Sequence, residues 1–176
     1  MSIKNLLIAS AICFATVPSI SLGQSPSNLN DLEIAHVAYT ASNIDIRNAH
    51  LALALSDNAE VRAFAETMIR DHTAVNDLAL GLLEKLGAQA QDNGLSQSLN
   101  EQSAAFLAEL SGLSGGTFDK RYAENELAYH MAVNDLVANA FIPNIENDEV
   151  RDLFKQALTI FTAHQEHSQL IVDELN

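Results

Sequence analysis

The sequence predicts an all-α fold, a four-helix bundle with a short extra helix in the connection between long helices two and three. Three observations predict it. Apolar residues recur at helical spacing through four long segments, no segment alternates as a strand does, and a capping residue precedes each long segment. A chain of 176 residues with 48% hydrophobic residues is long enough to form one domain around an apolar core.

Residues 1–23 are expected to be a secretory signal peptide, because Lys4 precedes a mostly apolar run from Leu6 to Val17. That run is shorter than the roughly 20 residues that a transmembrane helix needs. Cleavage after Gly23 follows the preference for small residues near the cut. We therefore expect a periplasmic or secreted protein with no transmembrane anchor after cleavage.

Charge and cysteine content exclude two classes of function. The net charge of −14 would repel nucleic-acid phosphate, so we expect no nucleic-acid partner. The single cysteine, Cys13, lies inside the expected signal peptide. The mature chain would have no thiol for catalysis, metal binding or a disulfide, so its apolar core must stabilise the fold.

The first long helix is predicted over residues 31–55, behind a flexible tail at residues 24–30, and opens the bundle domain of residues 31–176. Asn30 is the expected cap, with Glu33 three residues later as its reciprocal partner. A polar residue, Asp45, interrupts the apolar line expected to face the core. That line is Ile34, Ala38, Ala41, Asp45, Ala49, Ala52 and Leu55.

The second long helix is expected to begin behind Asp57, with Glu60 completing a capping box, and to end at Gly87. Only one or two residues separate it from the first helix, which predicts an antiparallel hairpin. Its predicted buried line is Val61, Phe64, Met68, His72, Val75, Ala79, Leu82 and Leu86.

A crossover of weaker periodicity is predicted between Gly87 and Thr117, with a short helix over residues 98–110 and a flexible connection over residues 111–116. The third long helix is expected to begin behind Thr117 and to end before Pro143. Its predicted inward line is Phe118, Tyr122, Glu126, His130, Val133, Val137 and Phe141.

The fourth long helix is expected to open at Asn147, with Asp148 and Glu149 placed favourably against the helix dipole. Its predicted buried line is Val150, Phe154, Ala157, Phe161, His164, Ser168 and Ile171.

Each long helix has a polar residue near the middle of its inward line. Midpoints of packed helices meet at similar depth, so these side chains are expected to converge in one layer of the core. Imidazole and carboxylate suit zinc, iron, manganese or copper, and facing helices of a bundle are a common place for such ligands. The sequence therefore suggests the hypothesis of a transition-metal site, with the candidate ligands His72, His130, His164, Asp45 and Glu126.

The alternative is a structural network, in which the same histidines are hydrogen-bonded to the carboxylates, to backbone or to water and have no chemical role. Other polar candidates point to structure or solvation. Glu33 and His36 have the Glu-x-x-His spacing of diiron bundles without a partner pair. His50 and His167 are expected at the surface or at the edge of the apolar stripe. Asp71 is expected to pair with Arg70, Arg121 or a neighbouring backbone N–H.

Three stretches match a family pattern: Val61-x-x-Phe64-Ala65-x-x-Met68-Ile69-x-Asp71-His72, Phe118-Asp119-x-x-Tyr122 with His130 eight residues later, and a late helix with His164. The chain resembles the exported bacterial family called domain of unknown function 4142 over residues 31–175. The resemblance implies an exported, ferritin-like four-helix protein without an established activity. The family pattern extends to Asp71, His72, Phe118, Asp119, Tyr122, His130 and His164.

Two residues depart from that pattern. Asp45 stands where relatives tend to have Glu, and Glu126 stands where an amide or an apolar residue is common. The paired Glu-x-x-His motifs of diiron centres are missing from the sequence, so the resemblance does not imply iron oxidation.

Three functions follow as hypotheses. The first is an exported metal-binding protein. The second is a non-catalytic scaffold that binds an envelope protein partner through residues 112–116 or the short helix 98–110. The third is a metal-dependent oxidoreductase or peroxide scavenger, which needs an open coordination position on the ion. No nucleophile elbow or phosphate-binding loop is present in the sequence, so an enzymatic function would depend on the metal.

Overall fold

The computed structural model describes residues 25–176, which form five α-helices and, in this range, no strand. The helices are α1 (Asp31–Leu55), α2 (Ala59–Lys85), α3 (Gly94–Ser111), α4 (Gly115–Leu136), continued by a π-helical turn (Val137–Phe141), and α5 (Asp148–Leu175). The predicted all-α bundle is confirmed. The expected signal peptide lies outside the described residues. None of the helices in residues 25–176 combines the length and the apolar character that a bilayer-spanning segment needs.

Two of the predicted helix starts are confirmed. Asn30 and Glu33 form a capping box, in which each side chain accepts a hydrogen bond from the backbone N–H of the other residue (2.9 and 3.0 Å). Asn147 caps α5 by accepting from the N–H groups of Glu149 and Val150. Helices α1 and α5 therefore begin where their capping residues predict.

Three other starts differ from the prediction. The cap of α2 is Asn58 rather than Asp57, because Asn58 Oδ1 accepts from two backbone N–H groups of the first turn. Helix α3 begins at Gly94, four residues before the predicted start, because Asn93 is an effective cap. Helix α4 begins at Gly115 rather than behind Thr117, and Gly115 has a φ of 55°, a conformation that glycine adopts readily.

The predicted stop of α2 at Gly87 is confirmed. Gly87 has a φ of 64°, and the N–H groups of Gly87 and Ala88 donate to the carbonyls of Glu84 and Leu83 in a Schellman motif. Two residues of the predicted inward lines are exposed, Leu55 (37%) and Leu86 (39%). Both lie at the last turn of their helices, where the bundle no longer covers them.

Two apolar clusters occupy the two ends of the bundle. The first contains Phe64, Met68, Phe118, Tyr122 and Ile171, and the second contains Leu29, Ile34, Val37, Phe141 and Phe154. Helices α1 and α5 run from the second cluster to the first, whereas α2 and α4 run the opposite way. The predicted antiparallel hairpin is present, a second hairpin joins α4 to α5, and α3 crosses between the two hairpins.

The segment expected to be a flexible tail is part of the structure from residue 25 onward. Pro26–Asn28 form a 3₁₀ turn, and Leu29 is buried in the second cluster. The Asp31 carboxylate accepts from the N–H groups of Glu146 and Asn147 at 2.9 and 2.8 Å. These contacts fasten the beginning of α1 to the beginning of α5.

Candidate metal centre

The predicted polar layer lies between the two apolar clusters, and all of its members are at most 3% exposed. Each long helix contributes to it. The five side chains are Asp45 from α1, His72 from α2, Glu126 and His130 from α4, and His164 from α5. The structure therefore places all five residues that the sequence proposed as ligands in one buried layer, where their donor atoms form two groups of three that share His130.

The three imidazole rings face one another. Their centroids are 5.8 Å apart for His72 and His130, 5.3 Å for His72 and His164, and 5.5 Å for His130 and His164. One ring nitrogen from each histidine lies within 4.8 Å of one from each of the others. The rings thus surround a shared point in the core.

One nitrogen of each ring has a hydrogen-bond partner. His72 Nδ1 lies 3.3 Å from Ser42 Oγ, His130 Nδ1 donates to the Glu126 carbonyl oxygen at 2.9 Å, and His164 Nε2 donates to the Asp71 carboxylate at 3.0 Å. Such hydrogen bonds fix the orientation of imidazole ligands in metal sites.

The other nitrogen of each ring has no hydrogen-bond partner within the protein, although it is buried. These atoms are His72 Nε2, His130 Nε2 and His164 Nδ1. In His130 and His164 the proton resides on the partnered nitrogen, so the unpartnered nitrogen has a free lone pair. Ser42 Oγ can accept a hydrogen bond from His72 Nδ1–H, and His72 Nε2 then has a free lone pair as well.

The Asp45 carboxylate adjoins two of these nitrogens. Its Oδ2 lies 3.3 Å from His72 Nε2 and 3.9 Å from His130 Nε2, and its Oδ1 has no hydrogen-bond partner. Donors at about 2.1 Å from a tetrahedral ion are about 3.4 Å apart. The distance to His72 Nε2 is close to that value, and the distance to His130 Nε2 is about 0.5 Å longer.

Glu126 adjoins the other nitrogen of the His130 ring, Nδ1. Its Oε1 accepts a long hydrogen bond from Asn48 Nδ2 (3.5 Å), and its unpaired Oε2 is 3.9 Å from His130 Nδ1. Asp45, Glu126 and His130 form a second group whose donor atoms are all within 4.8 Å of one another. Glu126 can therefore bind an ion or receive a proton beside it.

Burial determines the protonation of the cluster. It lowers the pKa of His130 to about 4, the pKa of His72 well below its usual value, and the pKa of His164 in the same direction. Burial also raises the pKa of Glu126 to about 7 and, together with the Glu126 carboxyl, the pKa of Asp45. At neutral pH the rings are therefore neutral, which is the form that binds metal ions.

Asp71 has one contact that its position in the sequence did not predict. It pairs with Arg70, as expected, but it also accepts the hydrogen bond from His164, which lies 93 positions later on another helix. Arg70 lowers the pKa of Asp71, so this carboxylate is charged. Arg121, another expected partner, pairs with Glu109 instead.

The other histidines lie outside the layer. His36 is 3.5 Å from Asp92, and Glu33 serves in the α1 cap, so the Glu-x-x-His spacing at the start of α1 has no metal-site geometry. His167 packs edge-on against Phe64 with ring centroids 5.2 Å apart. His50 is exposed, as predicted.

The fold and the buried layer define the class of this protein, an all-α helical bundle with a histidine–carboxylate cluster at mid-height. The chain matches the family described as Domain of unknown function (DUF4142) over residues 18–171, and it belongs to that family. Searches of curated proteins and of solved structures find no significant match. The ferritin-like description implied by the resemblance therefore stays a prediction.

Proposed function

We propose that this protein is an exported helical-bundle protein that binds one divalent transition-metal ion in its core. His72, His130 and His164 are the ligands, and Asp45 completes the site. The main support is that all three histidines leave a buried ring nitrogen without a partner, and that these rings face one another.

A purely structural hydrogen-bond network explains this arrangement less well. In such a network, each ring would use both nitrogens, since an unpaired buried polar group costs about 1–3 kcal/mol. Here one nitrogen of each of the three rings, Asp45 Oδ1 and Glu126 Oε2 are unpaired in one layer. A metal ion would satisfy the three nitrogens at once, because each nitrogen offers the lone pair that coordination requires.

The donor set favours the borderline transition metals. Neutral imidazole suits zinc, copper, iron and nickel, whereas magnesium and calcium prefer sites made of oxygen donors. Asp71 supports the same assignment, because a carboxylate that accepts the second ring proton of a histidine makes that ring a stronger ligand. Zinc is therefore a suitable probe of the site.

Export is proposed from the sequence of residues 1–23, whose basic start, apolar run and small-residue cleavage site fit a signal peptide. N-terminal sequencing of the protein from an envelope fraction tests it, and the expected first residue is Gln24. A mature chain that retains residues 1–23 would contradict cleavage. The predicted envelope partner and its contact region, residues 112–116 or the short helix, stay predictions.

The test of metal binding is the metal content of natively purified protein, measured by elemental analysis and native mass spectrometry. We expect about one ion per chain in the wild type, its loss in His130→Ala, and its retention in His50→Ala, whose side chain is exposed. Chelation should lower the Tm of the wild type and of His50→Ala, but not that of His130→Ala. Metal-free wild type with a Tm insensitive to added zinc would refute the proposal.

A further inference from the structure

A cavity of about 210 Å³ lies against one side of the metal-site layer. Asp45, His72 and His130 form part of its wall, whereas Glu126 and His164 do not line it. The cavity therefore adjoins the donors from one direction only. An ion held by these residues would have its accessible side toward this space.

The remaining wall is predominantly apolar and rich in aromatic rings. Five aromatic residues line it: Tyr39, Tyr129, Phe141, Phe154 and Phe161. Phe161 also stacks on the His72 ring, with centroids 4.6 Å apart and planes inclined by 10°. An apolar pocket with a few convergent polar groups is the usual form of a small-molecule site.

The cavity reaches the surface where α1, α3 and α4 meet. Tyr39, Gln102 and Ala132 are the exposed members of its lining, and they come from these three helices. Helix α3, the crossover helix, thus forms part of the entrance.

The volume limits the size of the ligand. A cavity of about 150 Å³ accommodates benzene, and this one is larger. A single aromatic ring with a short substituent fits, whereas a long acyl chain does not. The acidic surface of the protein disfavours an anion, since the net charge is −14.

We propose that the cavity binds a neutral small aromatic molecule with one hydroxyl group, of the phenol class, whose oxygen approaches the metal ion. This inference rests on the proposed function, because the oxygen needs the ion held by His72, His130, His164 and Asp45, to which it would add as a fifth ligand. The aromatic walls bind the ring, and the ion distinguishes a phenol from a hydrocarbon of the same shape.

The experiment uses the protein loaded with cobalt(II), whose visible absorption depends on its ligands, and two probes that differ by one hydroxyl. We expect 4-ethylphenol to change the spectrum in a saturable manner and ethylbenzene to leave it unchanged. Ala132→Trp places a large side chain at the entrance and is expected to weaken 4-ethylphenol binding about tenfold or more. Ala128→Trp, on an exposed position of the same helix outside the cavity, is the matched control.

Cobalt content and circular dichroism are measured for every sample. A chain that takes up no cobalt would overturn the proposed function together with this inference. A folded, cobalt-loaded wild type whose spectrum does not respond to 4-ethylphenol would overturn this inference alone. An equal response of the Ala132→Trp and Ala128→Trp variants would also overturn it, because the oxygen would then reach the ion by another route.

Discussion

Replacing Glu126 with glutamine should stabilise the metal-free protein at alkaline pH. The Glu126 side chain is fully buried beside Asp45, and burial raises its pKa from 4.5 to about 7. The folded state therefore holds this proton at pH values where the unfolded chain has released it. The stability associated with Glu126 is complete below about pH 4.5 and is lost as the pH rises through about 7.

The expected change in the free energy of unfolding follows from the two pKa values of Glu126, in the unfolded and the folded chain. Each pKa unit corresponds to about 1.4 kcal/mol, so the change from 4.5 to about 7 costs the folded protein about 3 kcal/mol at pH 8 and about 1 kcal/mol at pH 5. Glu126→Gln removes this cost and keeps the oxygen that accepts from Asn48. Its amide also offers a donor to the unpaired Oδ1 of Asp45.

The assay is urea unfolding followed by circular dichroism, at pH 5 and pH 8, with a chelator present. The gain in unfolding free energy of Glu126→Gln over the wild type should be about 2 kcal/mol larger at pH 8 than at pH 5. The depressed pKa values of the histidines affect both proteins, so their contribution largely cancels from the comparison.

Glu124→Gln, an exposed substitution two residues away on α4, provides the control and should change stability by less than about 0.5 kcal/mol at either pH. A gain in Glu126→Gln that is the same at both pH values would refute the reasoning, because the raised pKa would then not be the source of the cost. A loss of stability at pH 8 would refute it as well.

Three further predictions follow from the same structure. Asp71→Asn removes the charged partner of His164 and should weaken zinc binding about 10- to 100-fold in a chelator competition titration, with little change in the Tm of zinc-free protein; unchanged affinity would show that Asp71 does not position the ring. Phe118→Ala should lower the unfolding free energy by about 3–5 kcal/mol in urea, because Phe118 is fully buried. Asn58→Ala should cost about 1 kcal/mol and Asp57→Ala less than about 0.5 kcal/mol, since Asn58 caps α2; the reverse order would restore Asp57 as the cap.

Much of the fold is predictable from local signals. The bounds of α1 follow from the Asn30–Glu33 box and the apolar spacing behind it, and all seven predicted buried residues of α5 are buried. Local signals are ambiguous where two capping residues adjoin. Asp57 and Asn58 both suit the cap of α2, and a hydrogen bond from the Asn58 N–H to Ser56 Oγ favours the second.

The site was predictable only in part, because local sequence signals do not specify how two helices pack against each other. Polar residues on an apolar line identify His72, His130 and His164, because burial of such groups demands a partner. Asp71 gives no such signal, since it adjoins His72 off the apolar line and is exposed enough to pair with Arg70. Its contact with His164 depends on how α2 and α5 pack, which the spacing within either helix does not specify.

The four proposed ligands are distributed one to each long helix, and this has a consequence for how the ion would be acquired. No hairpin alone contains the full set, so a partly synthesised or partly folded chain cannot bind the ion with native affinity. Selection of the ion would therefore have to wait until the two hairpins dock, and the compartment in which they dock would determine which ions compete for the site.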